Sequence, residues 1–494
     1  MQLVAYGAQD IYLTGNPMIT YFKVVYRRHT NFAMESIEQT FNGVADFGKR
    51  VTATISRNGD LINGVYLQCD LPNLTDLQDV QWRWIDNIGH VLVQLVEVEI
   101  GGQLIDRHYG DWLEIWSQLT VPAGQLKGYK QMIGQDPLDA LNRASGLQSL
   151  TARNTTNPNT VSYPSQISQD ANTGGSFNTP RTLYIPLQFW FCRNVGLSLP
   201  LIALQYHEVK INLTINQISA LILGFTNTVP ATGPARTTPN QQNVIATPPP
   251  SNNFPTSGAS GSLQNCSLWV DYIYLDTDER RRFAQVSHEY LIEQLQFTGT
   301  ETLTGSTTNV KLNYNHPVKE LVWVLQPWGA MYNQWNNYTD TPAIQLGVQD
   351  NQHVTTTNIV QFSDQTFSNP WKSGNPFEYV KLQLNGHDRF YQRYGTYFNQ
   401  VQTRDHHTNI PDSPGICVYS FALKPEDHQP SGTCNFSRID NATLNVTMTA
   451  NMKAAVNNAV GGSMPVAAPS LKVFAVNYNV LRIMSGMGGL AYSN

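Results

Sequence analysis

The stretch LWVDYIYLDTDERRRFAQVSHEYLIEQLQFTG, residues 268–299, decides how the chain is divided, because similar features recur in the same order on its two sides. Near the N-terminus, IEQTFNG begins at Ile37, and inside the stretch IEQLQFTG begins at Ile292. Matches in a fixed order indicate an internal repeat, which has to be recognised before single elements are assigned. The stretch therefore closes one half of the chain and opens another.

Four further pairs of segments follow in the same order. They are the run 51–72 with the run 310–327, VEIGGQLIDRHYGDW (98–112) with LQLNGHDRFYQRYGTY (382–397), EVKINLTI (208–215) with NATLNVTM (441–448), and WVDYIYLD near 270 with KVFAVNYN near 473. The repeated unit is far too long for a solenoid. Each half also has ample length to bury a core of its own. The sequence therefore predicts two similar all-β domains in tandem.

Strands are legible from alternation. Val51, Ala53 and Ile55 share one face of a short run, and Val96, Val98 and Ile100 share one face of another. Asn58-Gly59 supplies the turn favoured in hairpins. One apolar face on each strand predicts antiparallel sheets packed face to face.

One helix is predicted in the first half, with Asp111 as its N-cap and Glu114 three residues further on. Helical spacing relates four apolar residues, which we expect to pack against a sheet: Trp112, Ile115, Trp116 and Leu119. A short capped helical turn is predicted at 276–282, between the two halves.

Charged residues make up 14% of the chain, against about 25% in ordinary globular proteins, so the polar surface must consist largely of Asn, Gln, Thr and Ser. Interface cores are depleted in charge, which favours a protein that buries much of its outside against neighbours. A loop-rich β protein would have the same composition, and both interpretations stay open. The net charge is -5 without blocks of Lys or Arg, which argues against wrapping of nucleic acid.

The cysteines are odd in number, scattered and without CxxC spacing: Cys69, Cys192, Cys266, Cys417 and Cys434. This pattern predicts reduced thiols of a cytoplasmic product rather than a disulfide framework or a zinc site. No cation precedes Lys23 and no continuous apolar segment lies near the N-terminus, so we predict no signal peptide. No run of about 20 apolar residues predicts a membrane span.

Residues 1–34 have no sustained periodicity and are expected to form an extended arm, packed under its own domain or a neighbour. The arm carries a basic cluster made of Lys23, Arg27, Arg28 and His29. These cations could touch nucleic acid or lipid head groups, or they could serve contacts between subunits.

Long loops are predicted where the composition is loose or strand patterns stop: 151–180, 225–262, 328–376 and 402–415. The glycine-rich end, with Gly486, Gly488 and Gly489, is expected to be a flexible terminus.

Several motifs approach known sites and then depart from them. Gly43, Gly48 and Lys49 have phosphate-loop spacing, but Arg50 stands where Ser or Thr is needed and a strand pattern follows instead of a helix. His207-Glu208 and His288-Glu289 begin like zincins, yet Ile211 and Ile292 replace the second His.

The adjacent His406 and His407, in a predicted polar loop, could hold a metal, but there is no HxH pair of the kind used by cupin-like metalloenzymes. No nucleophile and base, and no carboxylate pair, has a distinctive spacing. We therefore predict no catalytic, cofactor-binding or metal residues, and no enzyme.

The segment GAQDIYLTGNPMITYFKVVYRRHTNFAMESIEQTF (7–41) resembles the major capsid proteins of large icosahedral double-stranded DNA viruses, the nucleocytoplasmic group. The resemblance continues through ISRNGDLI, EIGGQLIDRHYGDW, LPLIALQYHEVK, WVDYIYLDTDERRRFA, YSFALKP, QPSGTCNFSRIDNATL and NYNVLRIMSGMGGLAY. These blocks span nearly the whole chain.

The resemblance implies two eight-stranded jelly rolls in tandem with long loops and a few short helices. With the arm at 1–34, we expect the first roll at 35–284 and the second at 285–494. The family's members form trimers of nearly hexagonal outline that tile the virion shell, and the resemblance implies the same homotrimer here.

The same resemblance implies minor capsid and penton proteins as partners, an arm close to an internal membrane, assembly in the host cytoplasm and no direct contact with nucleic acid. The alternative function from a different class is a carbohydrate-binding β-sandwich protein, against which the missing signal peptide and disulfides count.

Overall fold

The computed structural model describes residues 7–72, 80–85, 87–134, 181–226, 243–245, 262–303, 305–327, 335–340, 374–450, 452–453 and 469–492. Within these ranges the chain folds mainly into antiparallel sheets, and its two halves follow one plan.

The first half builds two facing sheets and a third, three-stranded sheet of β11, β10 and β4. Its strands are β1 Phe32–Gln39, β2 Arg50–Thr54, β3 Leu61–Leu71, β4 Val80–Trp84, β5 Val93–Ile100, β6 Gln103–Tyr109, β7 Arg181–Pro186, β8 Leu199–Pro200, β9 Val209–Ile215, β10 Ile222–Thr226, β11 Asn243–Ile245 and β12 Gln264–Leu275. One sheet has the order β1-β12-β3-β7, with β8 paired to β3, and the other has the order β2-β9-β5-β6. The buried face of β2, with Val51 and Ala53, is the one that alternation predicted.

The second half repeats this arrangement. Its strands are β13 His288–Thr302, β14 Thr307–Lys311, β15 Pro317–Gln326, β16 Phe377–Leu384, β17 His387–Asp388, β18 Arg393–Tyr394, β19 Cys417–Ser420, β20 Cys434–Asn435, β21 Ala442–Met448, β22 Ser470–Met484 and β23 Met487–Leu490. The sheets have the orders β13-β22-β15-β19 and β14-β21-β16-β17. Each half is an eight-stranded jelly roll with added strands, so the predicted double jelly roll is confirmed.

The five matched segment pairs fall on corresponding strands, which confirms the repeat. Ile37 and Ile292 lie in the first strand of each roll, and the two strands near 270 and 473, β12 and β22, each pair with that first strand. The turns after β5 and β16 are also alike, since Gly101 and Gly102 have φ of 58° and 85° and Asn385 and Gly386 have φ of 50° and 79°. Two successive left-handed residues make the tight hairpin turn that glycine and asparagine favour.

Helices are short. They are α1 Ile11–Thr14, α2 Ile88–Leu92, α3 Gly110–Thr120, α4 Ala123–Met132, α5 Trp190–Arg193, α6 Thr277–Gln285 and α7 Gln402–His406, with a π-helical turn Tyr397–Val401 and 3₁₀ turns Val195–Leu197, Leu201–Ala203, Ile218–Ala220 and Phe436–Arg438. The Asp276 side chain accepts a hydrogen bond from the Thr277 amide at 2.8 Å, so the predicted capped turn between the halves is present and extends to Gln285.

Parts of the predicted loops carry regular structure. Residues 402–406 are helix α7, and the stretch 225–262 contains the end of β10 and all of β11. β10 pairs with β4 and β11, which takes the predicted loop partly into a sheet. The predicted loop 151–180 and most of 328–376 lie outside the described residues.

All five cysteines are free thiols, as the sequence predicted. Burial raises the pKa of Cys192 and of Cys417 to about 12. Thiolate is the reactive form of cysteine, so these two thiols are inert packing groups at neutral pH.

Candidate assembly surfaces

The two jelly rolls are joined by helix α3. Its apolar residues, Trp112, Ile115, Trp116 and Leu119, are all buried, as predicted for packing of a helix on a sheet. The sheet belongs to the second roll. It contributes Val322, Val324, Val418, Phe474 and Val476 to the same apolar cluster. The Trp112 ring lies 5.5 Å from the Phe474 ring and 5.4 Å from the Trp116 ring.

Asp111 has a different role from the predicted one. The N-cap of α3 is Tyr109, without a side-chain cap, and Asp111 lies in the first turn. Its carboxylate pairs with Lys472 of β22, and the Lys472 ammonium also lies 2.8 Å from the Gln326 side-chain oxygen. The cap prediction is wrong because the helix begins at Gly110, before Asp111, whose carboxylate binds a cation of the second roll.

A second contact joins an edge strand of each roll. β6 ends one sheet of the first roll and β13 ends one sheet of the second. The Leu295 amide donates to the Asp106 carboxylate at 3.1 Å, and the Gln294 side-chain amide donates to the Ile105 carbonyl. The Tyr109 and Phe297 rings meet edge to face at 5.0 Å. Each edge covers the other, which removes two exposed strand edges.

Buried charges lie beside this contact. The Glu293 carboxylate on β13 is 2.9 Å from the Arg193 guanidinium of the first roll and 2.7 Å from the Lys319 ammonium on β15. Lys319 also donates to the Pro425 carbonyl at 2.5 Å. The pairing of β15 with β22 shifts register between Val318 and Glu320, and such a bulge re-aims side chains. The sequence showed only Lys and Glu next to an apolar run.

Burial and charge oppose each other in this group. Burial alone would raise the pKa of Glu293, but the positive charges of Arg193 and Lys319 outweigh it and hold this pKa below its ordinary value. Burial lowers the pKa of Lys319 despite the nearby carboxylates of Glu293 and Glu320. The cluster is thus an ionised carboxylate that keeps two cations inside the protein.

His407 is buried between two carboxylates instead of lying in a polar loop, so the predicted environment of the His406-His407 pair is wrong. It follows α7, and its ring nitrogens lie 3.0 Å from Glu320 and 2.9 Å from Glu426. Burial lowers the pKa of His407, but the two carboxylates outweigh it and raise the pKa to about 9. The imidazole is therefore protonated at neutral pH and neutralises the fully buried Glu320.

The ion pairs of His407 with Glu320 and Glu426 predict that the folded protein loses stability at alkaline pH. The ordinary histidine pKa is about 6.5, so the folded state holds the proton more tightly than the unfolded state. The stabilisation, about 3 kcal/mol at one pKa unit per 1.4 kcal/mol, is complete below pH 6.5 and is lost as pH rises through 9. Urea unfolding at pH 6 to 9.5 should show this loss. His407→Gln should be less stable at pH 6 and have a flatter profile, and an unchanged slope would contradict this role.

The C-terminal end forms a hairpin and is not a flexible terminus. β23 pairs with β22 through a turn at Ser485 and Gly486, which have φ of 52° and 81°. The Tyr206 amide donates to the Gly486 carbonyl at 3.0 Å, and the His207 ring nitrogen lies 3.0 Å from the Gly488 carbonyl oxygen. The glycines allow this close approach to the first roll, where a Cβ on Gly488 would meet Leu204 at 2.7 Å.

The near-motifs for chemistry lie in strands or directly before them. β2 directly follows Gly48 and Lys49, and both Ile211 and Ile292 are buried in strand cores. Across the described ranges, no group of three or more His, Cys, Asp or Glu residues is placed to hold a metal ion. Among the helices of those same ranges, none has the length and apolar character needed to cross a membrane.

Comparison with known proteins accounts for both rolls. The family model described as "Major capsid protein N-terminus" matches residues 20–276. The model described as "Large eukaryotic DNA virus major capsid protein" matches residues 279–489. The chain belongs to this capsid protein family.

Individual relatives agree over their full length. The major capsid protein of Phaeocystis pouchetii virus is 46% identical, over 100% of this chain and 99% of the relative. That of Paramecium bursaria Chlorella virus 1 is 40% identical over the same shares. A quasi-atomic model of the PBCV-1 virus capsid superposes with a TM-score of 0.68 at 38% identity, covering 96% of this chain and 100% of that one.

The capsid protein is thus a structural component of a virion shell, as the sequence indicated. Its relatives are structural capsid proteins, which favours this function over the carbohydrate-binding alternative. The contact surface between the rolls, the seam, consists of helix α3 on its sheet and of β6 against β13. It was not predicted from the sequence, because sequence distance does not show that Arg193, Glu293 and Lys319 meet. The one sequence signal for these buried charges was the Lys319-Glu320 pair next to the apolar run of β15.

The N-terminal arm of the capsid protein is exposed along residues 7–31. Tyr12 is 91% exposed, Met18 97% and Phe22 98%. Of the two placements predicted for the arm, packing under its own domain is therefore wrong for the described part. The basic cluster follows directly and makes no ion pair with any described residue. Exposed apolar patches of this kind mark interaction sites.

Proposed function

We propose that three copies of the capsid protein assemble into a trimer of nearly hexagonal outline, and that such trimers tile the shell. The observation that carries the proposal is the seam. Two jelly rolls of one topology lie side by side, and a shared apolar cluster and the Arg193–Glu293 ion pair hold them as one body. A rigid pair of similar rolls is the block from which three copies make six roughly equivalent positions.

We propose the division into an arm at 1–34, a first roll at 35–284 and a second roll at 285–494. The position of α6 between the two rolls supports the boundary at 284, and β1 begins at Phe32, three residues before the proposed start of the first roll. We further propose that the arm makes contacts on the inner side of the shell, with minor capsid and penton proteins and close to an internal membrane. Its exposed apolar and basic side chains support this proposal. We also propose assembly in the host cytoplasm, no catalytic role and no direct contact with nucleic acid.

Light scattering on a sizing column tests the trimer. We expect a mass three times that of the 55.3 kDa chain and independent of dilution in the micromolar range. Folded protein that stays monomeric at every concentration would overturn the proposal. Deleting residues 1–31 is the matched control, because the arm is assigned to contacts within the shell and the deletion should leave the trimer intact.

A further inference from the structure

The contact between β6 and β13 inside one chain has an unfilled counterpart. β6 is the edge strand that precedes the helix of the first roll, and its equivalents in the second roll are β17 and β18. β13 is the first strand of the second roll, and its equivalent in the first roll is β1. β6 and β13 cover each other, whereas β1 and the β17–β18 edge each end a sheet without pairing to a strand of the other roll in the described chain.

β1 is exposed along most of its length. Phe32 is 49% exposed and Met34 50% exposed, and Glu35 and Glu38 are also on the surface. Neither carboxylate has a cation partner among the described residues, although Tyr274 donates to Glu35 at 3.3 Å. This strand therefore presents an apolar and acidic edge.

The β17–β18 edge has the complementary character. Tyr391 is 83% exposed and Tyr394 55% exposed, and Arg389 and Arg393 are exposed between and beside them. No described carboxylate pairs with either arginine, and the Arg393 guanidinium lies 4.3 Å from the centroid of the Tyr397 ring. Tyrosine and arginine are the side chains most enriched where protein surfaces bind each other.

We propose that β1 of one copy docks on the β17–β18 edge of the second roll of a neighbouring copy. The repeat carries the argument. Glu293 of β13 pairs with Arg193 of the first roll, and its counterpart Glu38 has no ion-pair partner among the described residues. Tyr109 of the first roll packs on Phe297 of the second, while the ring of its counterpart Tyr394 packs on Tyr379 of its own roll, at 4.8 Å.

This contact joins different surfaces of two identical chains, so each copy has one acidic edge and one basic edge to offer. Such contacts close into rings when the rotation between copies allows it. One kind of edge contact would then alternate within and between chains around the ring. The inference rests on the proposed trimer and names the surfaces that close it.

Charge reversal tests the surfaces. The acidic-edge variant is Glu35→Arg/Glu38→Arg, and the basic-edge variant is Arg389→Glu/Arg393→Glu. Like charges that face each other across an interface cost several kcal/mol, so each variant should raise the trimer dissociation constant by about tenfold or more. The fourfold variant, a single chain that carries all four substitutions, has both edges reversed and should restore the trimer. Dilution series by light scattering measure all of these.

The controls are Glu301→Arg and Lys311→Glu, which change exposed charges elsewhere on the second roll and should leave the trimer unchanged. A wild-type monomer would refute the proposed function itself. A stable wild-type trimer that neither edge variant weakens would refute only these surfaces. Loss of the trimer in both edge variants, without recovery in the fourfold variant, would also overturn the pairing.

Discussion

Trp116→Ala is expected to lower the free energy of unfolding by about 3–5 kcal/mol, the range for truncation of a buried tryptophan. Trp116 is 4% exposed in the apolar cluster between the rolls, and the Arg193 guanidinium lies 4.9 Å from its ring centroid. Because the cavity opens between the rolls, we expect their unfolding to separate. Calorimetry should show one transition for the unchanged protein and two for the variant.

Two controls distinguish this effect from general loss of stability. Leu67→Ala removes a fully buried side chain from the core of the first roll and should cost about 2–5 kcal/mol while the rolls still unfold together. Tyr12→Ala changes an exposed aromatic residue of the arm and should stay within about 0.5 kcal/mol. A Trp116→Ala protein that unfolds in one transition, with unchanged stability, would show that α3 does not couple the rolls.

The double jelly roll was predictable because strand signals are local. Val51, Ala53 and Ile55 alternate over five residues, and the structure buries that face. The internal repeat indicated the topology, which alternation cannot, because segments that match in the same order require the same strand order in both halves. The bounds of the edge strands β17 and β18 in the second roll were not predictable. Each has two residues, which is too few for an alternating pattern to appear.

The assembly surfaces were less predictable, because they depend on residues that are distant in sequence. The helical spacing of Trp112 and Trp116 shows a buried face but not which sheet covers it. The glycines near 488 favour flexibility locally, and packing against Tyr206 and His207 overrides that tendency. The sequence around His407 indicates a polar, exposed residue. In the structure His407 is buried in an ion pair with Glu320, which lies 87 positions earlier in the chain (407 − 320).

Glu293 and Glu289 give a matched comparison on one strand. Both carry ion pairs, but the partners differ in burial. The pair of Glu289 with Arg482 leaves 59% and 50% of the two side chains exposed, and such surface pairs contribute about 0–1 kcal/mol. Glu293 holds the fully buried Lys319. Because removal of one partner leaves the other charge buried without compensation, the penalty should be much larger at Glu293.

We therefore expect Glu293→Gln to cost about 3–5 kcal/mol and Glu289→Gln less than about 1 kcal/mol, both measured by urea unfolding at pH 7. Burial already lowers the pKa of Lys319, and without Glu293 its folded state should release the proton still more readily. The unfolded state then binds more protons, so the deficit of Glu293→Gln should shrink as pH rises. Glu293→Gln/Lys319→Met should recover most of the loss, because no buried ammonium remains. Equal costs at positions 289 and 293, or no recovery in the double variant, would mean that the seam does not depend on this charge.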